Sequence, residues 1–240
     1  MATSIKLAKD LAEKLGLPEA TVLHVLRGVR SANLITSNGR GVSAVPMQKE
    51  DAIALLIGIG SGATAARVGE VTSQLMEMPL RRLERPVDRR LSKLRNTRYG
   101  FYNLQRGHTF FEGFSSLLDV EWEEVESDEE TQENPRLSAF DRAKEVGVTI
   151  GMDGRKSGGF AIIRAGSYLG TIRNYYSTWA MKAEVTSGDP DLAQMFDAPA
   201  AAFTVMHFGG EVLLAAKDSL KEKVKTERVR LPRQSRAIRT

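Results

Sequence analysis

Cysteine is absent from this 240-residue chain, and histidine is rare. Without cysteine the protein has no disulfide, no thiolate nucleophile and no cysteine-based metal site. Its three histidines, His24, His108 and His207, lie in unrelated sequence contexts, with no H-E-x-x-H motif and no ligand pair at helical spacing. We therefore expect a protein that is not an enzyme and that uses neither a metal nor a cofactor.

Long hydrophobic runs are absent as well. The longest one, Ala52–Ile59, is too short to span a bilayer, and the N-terminus lacks the basic-then-apolar pattern of a secretory signal. The composition is otherwise ordinary for a globular protein, with 42% apolar and 27% charged residues. We expect a cytoplasmic protein that does not associate with membranes.

Charge is distributed unevenly along the chain. The net charge is only +4, yet residues 119–133 contain nine acidic residues and no basic one. Such a segment cannot build a core and is typical of a solvated linker. The basic excess lies mainly at 61–118 and in the last forty residues. This uneven distribution indicates an anionic partner more strongly than the net charge of the whole chain does.

Hydrophobic periodicity predicts a mainly α N-terminal part and a smaller α+β C-terminal domain. The predicted helices cover 4–15, 18–32, 50–60, 64–78, 80–94, 108–118 and 210–224. The predicted strands cover 146–152, 160–164, 168–172, 175–185 and 203–208. The narrow apolar stripes of 64–78 and 80–94 fit either packing within the chain or an interface between subunits.

Residues 5–45 have the spacing of two helices that are joined by a tight turn and followed by a β-hairpin. Ala12 is a small residue late in the first helix, and Gly16, four residues on, suits a left-handed turn that a side chain resists. Branched Val22 and Val25 are placed to pack the second helix against the first. Three leucines complete this predicted core: Leu11, Leu15 and Leu26.

The segment after the second helix resembles the recognition-helix exit of winged helix-turn-helix transcription regulators. Asn33 suits the positive φ that ends a helix, and two strand-like pieces, 34–36 and 42–45, flank the hairpin signal Asn38-Gly39. This superfamily-level resemblance covers about a fifth of the chain. It implies a DNA-binding domain with a winged helix-turn-helix.

The resemblance also implies which side chains of the recognition helix meet DNA. Five outward positions would face a major groove: Glu19, Ala20, Thr21, His24 and Arg27. Arg27 or Arg30 is expected to contact guanine or phosphate, and Glu19 to accept a hydrogen bond from cytosine N4. Thr21 suits a phosphate contact that sets the register.

Basic residues outside this helix extend the predicted interface. Lys14 suits phosphate, and Arg40 at the tip of the wing suits a minor groove. An arginine cluster follows in the predicted helix 80–94, and its forked side chains also suit phosphate: Arg81, Arg82, Arg85, Arg89 and Arg90. A solvated helix face, or pairing with the acidic linker, is the alternative interpretation of this cluster. The basic tail is open to the same two interpretations.

One motif in the sequence is typical of dinucleotide-binding proteins and not of DNA-binding ones. Gly58, Gly60 and Ala63 match G-x-G-x-x-A, which is formally a dinucleotide-binding fingerprint. No βαβ pattern surrounds it, and acidic Glu50 and Asp51 instead indicate the start of a helix that Gly58 and Gly60 close. We therefore expect no dinucleotide cofactor.

Five parts follow from these patterns: a winged-helix DNA-binding domain at 1–60, a helical oligomerisation segment at 61–118, an acidic linker at 119–135, an α+β domain at 136–224 and a basic disordered tail at 225–240. We predict a homo-oligomeric protein that recognises double-stranded DNA, most simply a transcriptional regulator, with a ligand or protein partner at the C-terminal domain. Two alternatives stay open. Phage-type small terminase subunits share the layout, and a winged helix also serves as a non-DNA protein-interaction module.

Overall fold

The computed structural model describes residues 3–36, 46–84, 107–119, 146–153, 158–167, 170–179 and 203–221. The helices there are α1 (Ser4–Leu15), α2 (Glu19–Ser31), α3 (Lys49–Ser61), α4 (Val68–Met76), α5 (Phe110–Asp119) and α6 (Gly210–Lys221). The strands are β1 (Leu80–Glu84), β2 (Val146–Asp153), β3 (Gly159–Ser167), β4 (Gly170–Ser177) and β5 (Phe203–Gly209). The predicted wing hairpin at 37–45, most of the acidic linker and the basic tail lie outside the described residues.

A five-stranded antiparallel sheet, with strand order β1-β4-β3-β2-β5, forms one layer of the molecule. The predicted pairing of 146–152 with 160–164 is confirmed, with Met152 opposite Gly159 at the hairpin end. The two strands predicted at 168–172 and 175–185 are wrong as separate elements, because the single strand β4 covers 170–177. The described residues therefore confirm a mixed α+β fold.

The helix predicted at 80–94 is also wrong over the residues that are described. Leu80–Glu84 is an edge strand that pairs with β4. The register shifts between Leu80 and Arg82, so one extra residue stands in β1 at this point. Leu80 and Leu83 can consequently face the same core, although three-residue spacing in a regular strand places side chains on opposite faces. A bulged strand thus reproduces the apolar spacing of a helix.

Helices α1 and α2 have the predicted boundaries within one residue. Gly16 has a φ of 62° and ends α1, and Asn33 has a φ of 59° just beyond α2, so both left-handed predictions are confirmed. At the other end of α1, Thr3 Oγ1 accepts a hydrogen bond from the Lys6 N–H at 3.3 Å. Residues 34–36 were expected to begin the wing as a strand, but they form no strand.

Helix α3 lies between α2 and the sheet, and every residue from Asp51 to Ser61 is buried. A Cβ at Gly58 would lie 2.8 Å from Val29 Cγ2 of α2, and a Cβ at Gly60 would lie 2.8 Å from Ile150 Cδ1 of β2. These glycines therefore allow close approach on two sides of a helix. They do not close α3 as expected, because the helix continues to Ser61 and Gly62 caps it with a φ of 56°.

One hydrophobic core joins elements from both ends of the described chain. Leu11 of α1, Ile57 of α3, Phe114 of α5, Ile150 of β2 and Leu213 of α6 all belong to it. Strand β1 pairs with β4 in the sheet of the C-terminal strands, and α6 packs on α1. None of the described helices is both long and apolar enough to cross a membrane.

Candidate nucleic-acid interface

One face of α2 is open to solvent while its opposite face is buried. Val22 and Val29 are fully buried, and Leu26 is 3% exposed. The five positions predicted to face DNA are all exposed: Glu19, Ala20, Thr21, His24 and Arg27. The residue spacing therefore predicted the orientation of this helix correctly. Val25, predicted to be buried with Val22, is only partly buried, and it packs towards Gly58.

Close contacts hold α2 firmly behind that face. A Cβ at Gly28 would clash with Val68 Cγ1 of α4 and would lie 2.9 Å from the carbonyl oxygen of Ala65. A Cβ at Gly69 of α4 would meet Ala32 and would lie 3.0 Å from the carbonyl oxygen of Gly28. Because two glycines face each other's helix, the backbones of α2 and α4 approach closely. This close packing on α4 fixes the position of α2, and with it the position of the exposed side chains.

The start of α2 contains an ion pair to α1. Lys9 Nζ lies 3.3 Å from Glu19 Oε1, and both side chains are about half exposed. Exposed pairs of this kind contribute little, roughly 0 to 1 kcal/mol, so Glu19 can exchange Lys9 for another donor. Lys14, at the end of α1, is exposed as a phosphate contact requires.

Arg30 occupies a different environment from the other predicted contact residues. Its Nη2 donates a hydrogen bond to Ser4 Oγ at the N-terminus of α1, and its Nε is buried without a partner. Arg30 is therefore only partly exposed and holds α2 to α1. The expectation that Arg30 contacts guanine or phosphate is not supported by this placement.

A buried carboxylate brings together the two ends of the segment in which the wing is predicted. Asp51, in the first turn of α3, is 2% exposed. Its Oδ1 accepts from the Thr36 N–H and its Oδ2 from the Gln48 N–H, both at 2.8 Å. Thr36 and Gln48 therefore lie close together at the start of α3. Arg40, the predicted wing tip, lies outside the described residues.

The arginine cluster is only partly described. Arg81 and Arg82 lie on strand β1, not on the expected helix. Arg81 Nε donates to the carbonyl oxygen of Ser177 at 3.1 Å, and Arg82 Nη2 lies 2.8 Å from Glu84 Oε1. Both guanidinium groups thus have partners within the protein. The remaining three arginines of the prediction lie outside the described residues: Arg85, Arg89 and Arg90.

The other two histidines pack far from α2. Nε2 of buried His108 lies 2.8 Å from the hydroxyl of Tyr176, which also accepts from Asn174 Nδ2 at 3.2 Å. Burial raises the pKa of Tyr176 above its ordinary value, so this hydroxyl stays protonated. Nδ1 of His207 lies 2.9 Å from Thr149 Oγ1 on the sheet. Within the described ranges, no group of three or more histidine, aspartate or glutamate side chains is arranged to hold a metal ion.

A second group of basic side chains lies on the sheet, and none of them belongs to the interface predicted from the sequence. Four side chains share the face of the sheet that points away from the helices, and we call this surface the outer sheet face: Arg82, Arg164, Arg173 and His207. Strand β3 contains one basic residue, Arg164, so its sequence carries no alternating pattern that signals this surface. The grouping itself depends on strand register, which no local pattern specifies.

Comparison with known proteins adds no relative: the chain matches no protein-family model, no curated protein and no solved structure.

Proposed function

We propose that this chain binds double-stranded DNA through the exposed face of α2, as a transcriptional regulator does. The observation that carries the proposal is the orientation of α2, which buries Val22, Leu26 and Val29 and exposes five residues suited to base and phosphate contacts. A helix held in this way fits a major groove with its N-terminal half.

The connections around α2 support this role. The left-handed turn at Gly16 and the three residues between the helices match the compact linkage that positions a recognition helix. Asp51 holds Thr36 and Gln48 close together, as a hairpin between them requires, and a wing in that segment would suit a minor groove. His24 and Arg27 are then the residues best placed to read bases.

The C-terminal tail supplies a second, sequence-independent contribution to binding. Residues 222–240 contain seven basic and two acidic residues. They begin directly after Lys221, which lines a groove of about 490 Å³ between α1 and α6. The other charged side chains of this groove are Asp10, Glu13, Lys14 and Asp218. The tail therefore starts beside the α1–α2 unit, where its charges can reach the phosphates of a bound duplex.

The decisive experiment compares preferred with random duplex. A preferred site is selected from a random library, and dissociation constants are measured by fluorescence anisotropy at two salt concentrations. We expect the double variant His24→Ala, Arg27→Ala to weaken binding to the selected site by at least about tenfold, because one good base contact is worth about 1–3 kcal/mol. Random duplex should be bound nearly as well as before.

Arg67→Ala is the matched control, since it removes an exposed arginine from outside α2. Equal loss on selected and random duplex would show that α2 does not read bases. Failure of the unmodified protein to bind any duplex at low salt would contradict the proposal and leave a protein-interaction role. Light scattering completes the test, because a dimer agrees with a regulator whereas a closed ring of many subunits favours DNA packaging.

A further inference from the structure

The five-stranded sheet has two edges, and the strands that form them differ in charge. Strand β1 forms one edge, and three of its five residues are charged: Arg81, Arg82 and Glu84. Its register also shifts between Leu80 and Arg82. Charged side chains and bulges are devices that keep an exposed edge from pairing with another chain. Strand β1 is therefore protected against association through its edge.

Strand β5 forms the other edge and has neither of these devices. Its sequence, FTVMHFG, contains no lysine, arginine, aspartate, glutamate or proline. Its pairing with β2 is continuous from Phe203 to Gly209, and β2 is its only partner strand in the described part of the chain. Burial, and then the charge of Arg164, lower the pKa of His207, so this ring is neutral at neutral pH. An uncharged, regular edge strand of this kind is a template for another strand.

The first half of β5 is accessible from both faces of the sheet. Thr204, Val205 and His207 are exposed, and Met206 is partly buried. Val205 is 50% exposed, although it is apolar. Because successive side chains of a strand point to opposite faces, the exposure of two neighbours shows that neither face is covered at this point. We call residues 204–207 the β5 edge.

We propose that the β5 edge pairs with the β5 edge of a second copy of this chain, antiparallel and about a two-fold axis, so that the two sheets become one. A two-fold axis brings each side chain near its own counterpart, and like charges opposite each other destabilise a sheet. A neutral strand meets this condition, whereas β1 would bring Arg81 and Arg82 near their own copies. A different protein could place acidic residues opposite basic ones, so neutrality is a requirement of self-pairing in particular.

The position of β5 in the fold also suits a second copy. Helix α6 packs on both β5 and α1, and α1 packs on α2, whereas α4 and α5 contact β3 in the middle of the sheet. The two-fold axis of an antiparallel strand pair is perpendicular to the sheet, so the helices of both copies lie on the same side. Pairing at β5 would thus bring two α1–α2 units near each other, as recognition helices on adjacent half-sites require. The pairing itself is inferred from β5 and does not depend on the proposed DNA binding.

The test is sedimentation equilibrium of the full chain over a range of concentrations. We expect the unmodified protein to show a monomer–dimer equilibrium. The β5 edge is centred on Val205 and Met206, and an axis through either residue places the two copies of Val205 directly opposite each other or as diagonal neighbours about 7–8 Å apart. Val205→Lys should therefore raise the Kd of the dimer by about fivefold or more, because two like charges then lie close together. Val205→Glu should do the same.

An equimolar mixture of the two variants gives the sharper result. A lysine at position 205 of one copy then lies beside a glutamate at position 205 of the other, so the Kd should return to within about twofold of its original value. Each variant alone should stay weakly associated. Recovery by opposite charges requires that position 205 meets position 205 of a second copy, because contact with any other surface would not favour the mixture.

Ile5→Lys is the matched control, since Ile5 is another large apolar residue of similar exposure, at 55%, and lies on α1. It should change the Kd by less than about twofold, as a surface substitution outside an interface does. Circular dichroism establishes whether each variant is folded, and Val205→Glu carries the test if Val205→Lys is not.

Three results would overturn the proposal: equal weakening by Ile5→Lys and Val205→Lys, no recovery in the mixture, or a larger assembly that Val205→Lys leaves intact. An unmodified protein that stays monomeric at every concentration would overturn it too, and would leave the β5 edge to an extended segment of a different protein. No DNA is present in this test, so a failure of α2 to bind DNA does not affect its outcome.

Discussion

The exposed face of α2 and the outer sheet face both present arginine and histidine, but the fold holds these side chains in different ways. His24 and Arg27 project from a helix as separate, exposed groups. Arg164 and Arg173 stand opposite each other on the adjacent strands β3 and β4, and His207 stands on β5, which β2 separates from β3. Glu84 lies 3.9 Å from Arg173, and Thr149 and Gly147 contact His207. A single helix places the first pair of side chains, whereas strand register brings the second group together from distant parts of the chain.

Helix α3 connects the two surfaces and is the reason that they can be tested separately. Its Gly58 side faces α2, and its Gly60 side faces the sheet. A change on one side of α3 should therefore affect one surface more than the other.

The largest expected effect comes from Gly28→Val in α2. The new side chain would clash with Val68 and the carbonyl oxygen of Ala65, and overpacking of this kind typically costs about 1–3 kcal/mol. We expect a drop in unfolding free energy near the upper end of that range, measured by urea denaturation. DNA binding should fall together with stability, because α2 carries the proposed contact residues.

Gly209→Ala is the control for that change, since an added Cβ there meets nothing within 4 Å. If Gly28→Val were as stable as Gly209→Ala, the close packing of α2 on α4 would not be essential.

A smaller effect is expected for Tyr176→Phe, on the inner side of the sheet. Removal of the hydroxyl leaves His108 Nε2 and Asn174 Nδ2 without this partner in the core, and an unsatisfied buried polar group costs about 1–3 kcal/mol. Thermal unfolding should therefore begin at a lower temperature. Tyr175→Phe, one residue earlier on the outer sheet face, should cost less because its hydroxyl pairs with half-buried Glu84. A larger loss of stability in Tyr175→Phe than in Tyr176→Phe would contradict the assignment of Tyr176 to the inner face of the sheet and Tyr175 to the outer face.

The smallest effect concerns pH. Burial, and then the charge of Arg164, lower the pKa of His207 in the folded protein below 6.5. Between 6.5 and the lower folded value the unfolded chain binds more protons, so the contribution of His207 to stability is complete above 6.5 and decreases as the pH falls. His207→Gln should flatten the dependence of unfolding free energy on pH in this range, and Arg164→Gln should flatten it partly. An unchanged profile in both variants would show that the two side chains do not interact.

Local patterns were sufficient for the first two helices. The types and positions of Gly16 and Asn33 predict left-handed conformations, because few residues other than glycine and asparagine tolerate them. The apolar spacing of α2 also predicted which side is exposed. Arg30 was the exception, since its partner Ser4 is distant in the sequence.

The sequence by itself therefore determined the elements whose hydrogen bonds and apolar faces are local: α1, α2, α3, the β2–β3 hairpin and α6. Only the tertiary structure decided that 80–84 is a bulged edge strand, that both ends of the described chain share one core, and that Arg164, Arg173 and His207 lie together. The physical reason is that strand pairing joins residues far apart in the chain, and register is set by packing between elements, which a linear pattern does not contain.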